Sequence, residues 1–153
     1  MTLATIEMET AVIDAQVLFY FHYAYSKVPA LLQDLKKKVI AGKITVIIPV
    51  VAISELYYKL RKKMDSDTDQ DVEQRLAKLK IAIQRWKSSD HVIIDAFDTQ
   101  LLDLMLQNKQ YHEIFDEIIA MSCKRHGTNI IYATDKKYRE IFHLDLRSWK
   151  KAR

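Results

Sequence analysis

Asp14, Glu55, Asp116 and Asp135 lie far apart in the chain, yet the segments around them would carry all of them to one edge of one sheet. Carboxylates gathered in one place repel one another unless a cation or shared protons compensate. Their oxygens suit a hard cation. Mg2+ keeps several waters and uses only one or two protein carboxylates, which leaves the remaining acids free to orient water. Such an ion lowers the pKa of its water, neutralises a scissile phosphate and stabilises the leaving oxygen, which together suffice for phosphodiester hydrolysis. We assign Asp14 and Asp116 as the direct or near-direct ligands, and Glu55 and Asp135 as ligands through water or as orienters of the nucleophile.

The elements that must position these acids follow from the flanking residues. Asp14 ends the apolar run Ala11-Val12-Ile13, and Asp135 follows Ile130-Ile131-Tyr132-Ala133-Thr134, so each is a carboxylate at the C-terminal tip of a buried strand. Glu55 lies early in the helix after the strand 44–48, and Asp116 lies in the opening turns of the helix that feeds the strand at 130. In a parallel sheet with crossover helices, strand C-termini, the starts of the following helices and ligand sites share one edge.

Elsewhere the run Val17 to Tyr25 is too long and unbroken for an alternating strand and predicts a helix lasting to Pro29. Pro29 suits the first turn of a helix carrying Leu31, Leu32, Leu35 and Val39, with Gly42 as its stop. After Pro49, the stripe Ile53, Leu56, Tyr57 and Leu60 marks another helix. The polar loop Met64 to Asp71 precedes an amphipathic helix, about 70–88, on Val72, Leu76, Leu79, Ile83 and Trp86. A strand His91 to Asp95, a helix around Leu101, Leu102 and Met105, a helix Glu113 to His126, the strand 129–133 and a short helix 136–142 complete the pattern, with an edge strand expected between His143 and Trp149. Strands alternating with helices argue for an α/β sandwich on a mostly parallel sheet.

With 153 residues, about half of them apolar, and no Pro, Gly or Ser linker, the chain reads as one domain over residues 1–153. Met1 to Thr10 carries Glu7 and Glu9 and lacks the form of a signal peptide, no run is long enough to span a membrane, and Cys123 is the only cysteine. A reducing, cytoplasmic setting is expected. The net charge of +4 is modest but clustered, at Lys36-Lys37-Lys38, Arg61-Lys62-Lys63, Lys136-Lys137 with Arg139, and Lys150-Lys151 with Arg153. One such cluster alone is a solvated helix end. A basic surface beside the acidic edge would instead mean nucleic acid, and Lys136, Lys137 and Arg139 are the candidates for it.

Each acid also has a plain structural reading. Asp14 could be a strand-end turn residue. Glu55 lies roughly opposite its helix's apolar stripe and reads as a surface charge; Asp116 could be a first-turn acid, with Glu117 serving the site instead; Asp135 could be a helix N-cap. Asp95 and Asp98 follow a strand at the same edge without a supporting motif. Other chemistries fare worse. Two glycines exclude a Gly-rich phosphate loop, the five histidines show no paired ligand spacing, and Gln16 stands where a haloacid dehalogenase type of phosphotransferase wants a second Asp. His112 reads as a surface histidine at a helix start, Cys123 as a buried small residue, and the aromatic run Phe19 to Tyr25 as core or a dimer contact in preference to base stacking.

Asp14-Ala15-Gln16-Val17-Leu18, Ile53-Ser54-Glu55-Leu56, Phe115-Asp116-Glu117-Ile118-Ile119-Ala120 and Ala133-Thr134-Asp135-Lys136-Lys137-Tyr138 resemble, in that order, the acidic signatures of the PIN domain. The chain is most similar to the small single-domain PIN proteins of the VapC toxin type. The resemblance implies a three-layer α/β/α fold, a Mg2+- or Mn2+-dependent endoribonuclease acting on RNA, homodimers, and pairing with a small antitoxin protein. It departs from the family pattern at two places. Ala15 and Gln16 replace the Thr or Ser and Asn or Ser that commonly follow the first Asp, and Ala133 stands where a hydroxyl residue usually precedes the last Asp by two positions. The altered first motif leaves open a non-catalytic or weakly active RNA- or protein-binding PIN module, and a housekeeping RNA-processing nuclease is a further alternative.

Overall fold

Asp14 ends the first strand, and its own carboxylate starts the next element. Strand β1 covers Glu9–Ile13 and helix α1 Ala15–Tyr23. Between them Asp14 Oδ1 accepts the backbone N–H of Gln16 at 3.0 Å and of Val17 at 3.4 Å. First-turn amides have no intrahelical partner, so a carboxylate at this position caps them and the helix begins ahead of the apolar run. The computed structural model describes residues 8–23, 27–107 and 113–149. Ala24 and Tyr25 of the aromatic run, His112, most of the leading segment Met1 to Thr10 and the tail cations Lys150, Lys151 and Arg153 lie outside these residues.

Helix α2 (Ala30–Ile40) stops just before Gly42, whose φ of +71° is a conformation side chains rarely adopt; a Cβ there would also meet His91 Nε2 at 2.9 Å. The chain continues through β2 (Ile44–Pro49), α3 (Val50–Arg61), α4 (Asp69–Ser88), β3 (Val92–Asp95), α5 (Thr99–Gln107), α6 (Ile114–Arg125), β4 (Ile130–Tyr132), α7 (Lys137–Glu140) and the edge strand β5 (Asp145–Arg147). Thr68 and Asp71 cap the start of α4 reciprocally. Arg75 then ties the loop before it back to α3, reaching Asp67 Oδ2 at 3.0 Å and the Leu60 carbonyl at 3.2 Å.

Among the described residues the five strands form one parallel sheet in the order β3-β2-β1-β4-β5. From β1 the chain builds outward through β2 and β3, then returns to lay β4 and β5 on the other side. The strand order therefore reverses between β1 and β4, and such a switch point opens a crevice at the strand C-termini. Asp14 and Asp135 follow the two strands that flank it.

Alternation along each strand divides the core into two layers. Ile13 and Ile48 face Leu18, Leu35, Leu56 and Leu79 from α1 to α4. Val12, Ile47 and Ile131 face Leu101, Ile118 and Tyr138 from α5 to α7. The result is an α/β/α sandwich. The apolar stripes of α1 and α4 are spent on this core, since Val17 and Leu18 are buried and Phe19, Phe21, Leu76, Ile83 and Trp86 pack against it. Tyr57, expected in the buried stripe of α3, is instead exposed, and Val51 and Ala52 take up the burial. No helix among the described residues is long and apolar enough to cross a membrane.

Candidate functional site

Asp14, Glu55, Asp116 and Asp135 line one cleft of about 370 Å³ at the switch point, together with Gln16, Lys59, Ile119, Thr134 and Tyr138. Each acid arrives by a different route. Asp14 is held by the α1 amides it caps. Glu55 projects from the first half of α3, with Lys59 one turn later on the same side. Asp116 stands in the first turn of α6, and it, not Glu117, faces the cleft. Asp135 accepts the backbone N–H of Lys137 at 2.9 Å, so it caps the α7 turn and lines the cleft at once.

These carboxylates perturb one another. Burial above all, with the charge of Glu55 adding, pushes Asp14 up to about 7 despite the amides of Val17 and Gln16 and the nearby Lys59. Burial also raises Glu55, partly offset by Lys59 and reinforced by Asp116. Asp116 is raised by burial and then by Glu113 and Asp135, against the pull of Lys137 and Tyr138. Three acids shifted upward in one cleft mark a place where negative charge is under-compensated.

A divalent ion fits the chemistry of this donor set. The donors are carboxylate oxygens, and Asp116 Oδ2 is buried and accepts no hydrogen bond. Lys137 Nζ lies 3.8 Å from that oxygen, a distance for attraction and too long for a hydrogen bond. Among the described residues no three His, Cys, Asp or Glu side chains already stand in position to share one ion. Gathering them around a cation would therefore need side-chain movement within the cleft.

Four polar residues of the cleft carried no assigned role in the sequence reading. Lys59 was hidden on a helix face, although its spacing of one turn from Glu55 was a usable signal. Gln16, one departure from the family pattern, meets Thr134, which follows another, Ala133: the Thr134 hydroxyl donates to Gln16 Oε1 across the β1–β4 switch point. Tyr138 donates its hydroxyl to Asp116 Oδ1 at 3.3 Å from a ring buried in the core. Of the basic candidates, Lys136 and Lys137 are exposed beside Asp135, whereas Arg139 turns toward β5 and reaches the Leu146 carbonyl at 3.4 Å.

Asp95 and Asp98 stand apart from this cleft. Asp95 is buried and receives hydrogen bonds from Ser122, from Arg125 at 2.8 Å and from His126 at 2.8 Å. Arg125 also pairs with Asp98 and with the Ala96 carbonyl. The cluster clamps the β3–α5 turn to the end of α6. Burial works against ionisation of Asp95, but His126, Ser122 and Arg125 outweigh it and hold the carboxyl below its usual range. Cys123 is wholly buried, with its thiol pushed up to about 12 by burial, as expected of a packing residue.

A family model described as the PIN domain matches residues 11–143. Among solved structures the chain is similar to VapBC2 from Rickettsia felis, bound to a DNA fragment from its promoter, with a TM-score of 0.59 and 17% identity over 92% of this chain and 99% of that one. It is similar to FitAB bound to an IR36 DNA fragment, with a TM-score of 0.58 and 11% identity over 94% of this chain and 98% of that one. It is also similar to VapC20 from Mycobacterium tuberculosis, a toxin that cleaves the sarcin-ricin loop, with a TM-score of 0.55 and 12% identity over 84% of this chain and 92% of that one. At such identities the likeness is one of fold. No curated protein matches the chain.

Proposed function

The chain belongs to the PIN domain family, and on that premise we propose that it is a Mg2+- or Mn2+-dependent endoribonuclease that hydrolyses RNA phosphodiester bonds, the toxin of a toxin–antitoxin pair. The observation that carries this reading is the convergence of Asp14, Glu55, Asp116 and Asp135 on one cleft at the switch point. Asp14 and Asp116 would hold the ion, with Glu55 and Asp135 reaching it through water. When bound, the ion supplies a water of lowered pKa and positive charge against the phosphate and the leaving oxygen.

The chain's own groups supply the rest. Asp135, exposed and lining the cleft, would orient an incoming water and take up its proton. Lys59 inside the cleft and Lys137 at its rim supply positive charge for phosphate oxygens. Lys136, exposed just before α7, adds to that charge and would replace counterions of the RNA backbone. Gln16 and Thr134, joined across the switch point, tie the residues after Asp14 to those before Asp135. They stand in for the hydroxyl residues that other members carry beside the first and last acids.

The likeness to the VapBC2 and FitAB complexes supports an antitoxin protein as partner. A homodimer is part of the same reading. Its contact is better drawn from α5 and the start of α6, where Leu102, Leu106, Ile114 and Phe115 are exposed, than from the core-facing stripes of α1 and α4. The test of activity is direct: RNA should be cleaved with Mg2+ or Mn2+ and spared with a chelator, and Asp116→Asn should abolish cleavage while RNA still binds. RNA bound but never cleaved by the parent protein would favour the non-catalytic module, in which Lys59 and Lys137 stand permanently against the carboxylates.

A further inference from the structure

Tyr138 occupies α7, shortly after Asp135, and its ring belongs to the core: the residue is 2% exposed and its ring centroid lies 6.3 Å from that of Phe142. The α7 turn holds the backbone on both sides. Its N–H donates to the Asp135 carbonyl at 3.3 Å, and its own carbonyl accepts the Leu144 N–H at 2.9 Å. Only the hydroxyl reaches the cleft, where it donates to Asp116 Oδ1 at 3.3 Å. The other oxygen of that carboxylate, Oδ2, is buried and accepts no hydrogen bond.

The two oxygens of Asp116 are thus unequal. One faces a phenol that a packed ring cannot withdraw, and the other accepts no hydrogen bond and has Lys137 Nζ at 3.8 Å beside it. Mg2+ takes carboxylates through single oxygens in a tight octahedron, whereas Ca2+ is larger and accepts both oxygens of one carboxylate. A partner that fixes a ligand's orientation tunes the ion it binds. Building on the nuclease reading above, we propose that Tyr138 is a positioning residue that makes Asp116 a single-oxygen ligand and so sets the site's preference for Mg2+ over Ca2+.

Calorimetric titration of Mg2+ and of Ca2+ into the wild type and Tyr138→Phe, without RNA, tests this. The Phe variant deletes one oxygen and leaves the buried ring in place. Mg2+ affinity should fall by about 10- to 100-fold, the usual cost of removing an orienting partner, while Ca2+ affinity holds or rises because Oδ1 is released. The Mg2+ to Ca2+ preference should therefore drop at least about tenfold. General loosening of the fold would weaken both ions alike. Equal losses for the two ions, or an unchanged preference in a protein that binds both, would overturn the role of Tyr138 and leave the nuclease reading standing. A wild type that binds neither ion would overturn both.

Discussion

Asp14→Asn examines the cleft through stability alone. Asn keeps the oxygen that accepts from Gln16 and Val17, and it imitates the neutral carboxyl that this environment favours. Burial moves Asp14 from 3.8 up to about 7 in the folded protein. The folded state therefore keeps its proton at pH values where the unfolded chain has lost it. Stability is greatest below pH 3.8, declines as pH rises toward about 7, and is level above that. Such a shift corresponds to roughly 4 kcal/mol at full effect. The cleft is open to water at its mouth, which screens the charge and brings the expected value to about 2 kcal/mol. In metal-free buffer at about pH 8 the variant should thus be more stable than the parent by that amount, and the two should converge near pH 4. Glu55 and Asp116 are also raised and remain in both proteins, so the difference reports Asp14 together with its coupling to Glu55. Mn2+ at a hundredfold excess over its dissociation constant should then return about 2.7 kcal/mol to the parent and much less to the variant. Urea unfolding followed by circular dichroism across this pH range measures each quantity. A variant less stable than the parent at pH 8, or a gap that does not change with pH, would refute the reasoning and make Asp14 a plain helix cap.

The remaining expectations concern the supports and the rim. Arg125→Ala leaves Asp95 buried beside only Ser122 and His126, and should cost about 3–5 kcal/mol in urea unfolding at neutral pH without changing metal affinity. Because Asp95 lies below its ordinary range, its contribution is present above pH 3.8 and fades as pH falls below that value; a parent that kept its full advantage over Arg125→Ala in acid would contradict this. Double substitution of Lys136 and Lys137 by Ala should weaken RNA binding and lower the slope of log affinity against log salt by about 1.4, two single-strand phosphates' worth, measured on Asp116→Asn to prevent cleavage. Thr134→Val removes the donor to Gln16 and should cost about 1 kcal/mol in stability, with cleavage falling by about tenfold or more if the pair orients the acids.

Much of the fold was legible because its signals are local. Apolar runs, Pro29, Gly42 and the helical stripes fix where elements begin and end, and alternation of strand and helix fixes the parallel sheet. The order of the strands is not local, yet the four acids lay near enough to strand ends and helix starts for one shared edge to be inferred. What failed to show was burial that depends on neighbours in space. Tyr57 has the spacing of a core residue and lies on the surface, while Val51 and Ala52 of the same helix are buried. The link from Gln16 at the start of α1 to Thr134 just after β4 joins residues separated by most of the chain, so neither position alone could reveal that the two meet.

Asp14 and Asp95 show where sequence reading reaches its limit and what resolves it. Both are aspartates at the C-terminal end of a parallel strand, and both precede a helix. The difference lies in the opposite charge each one meets. Asp95 faces the α5–α6 layer, where Arg125 and His126 come down from the end of α6 and satisfy it, so its carboxyl is held low and its role is structural. Asp14 lies at the switch point, where α3 and α6 bring two further acids, opposed by Lys59 of α3 and by Lys137 at the start of α7, and its carboxyl rises to about 7. A strand-end aspartate with its cation built in contributes to the fold, and one whose cation must come from outside is available for chemistry. The sign of the pKa shift separates the two cases, and that sign is set by which helix ends the topology delivers to each strand.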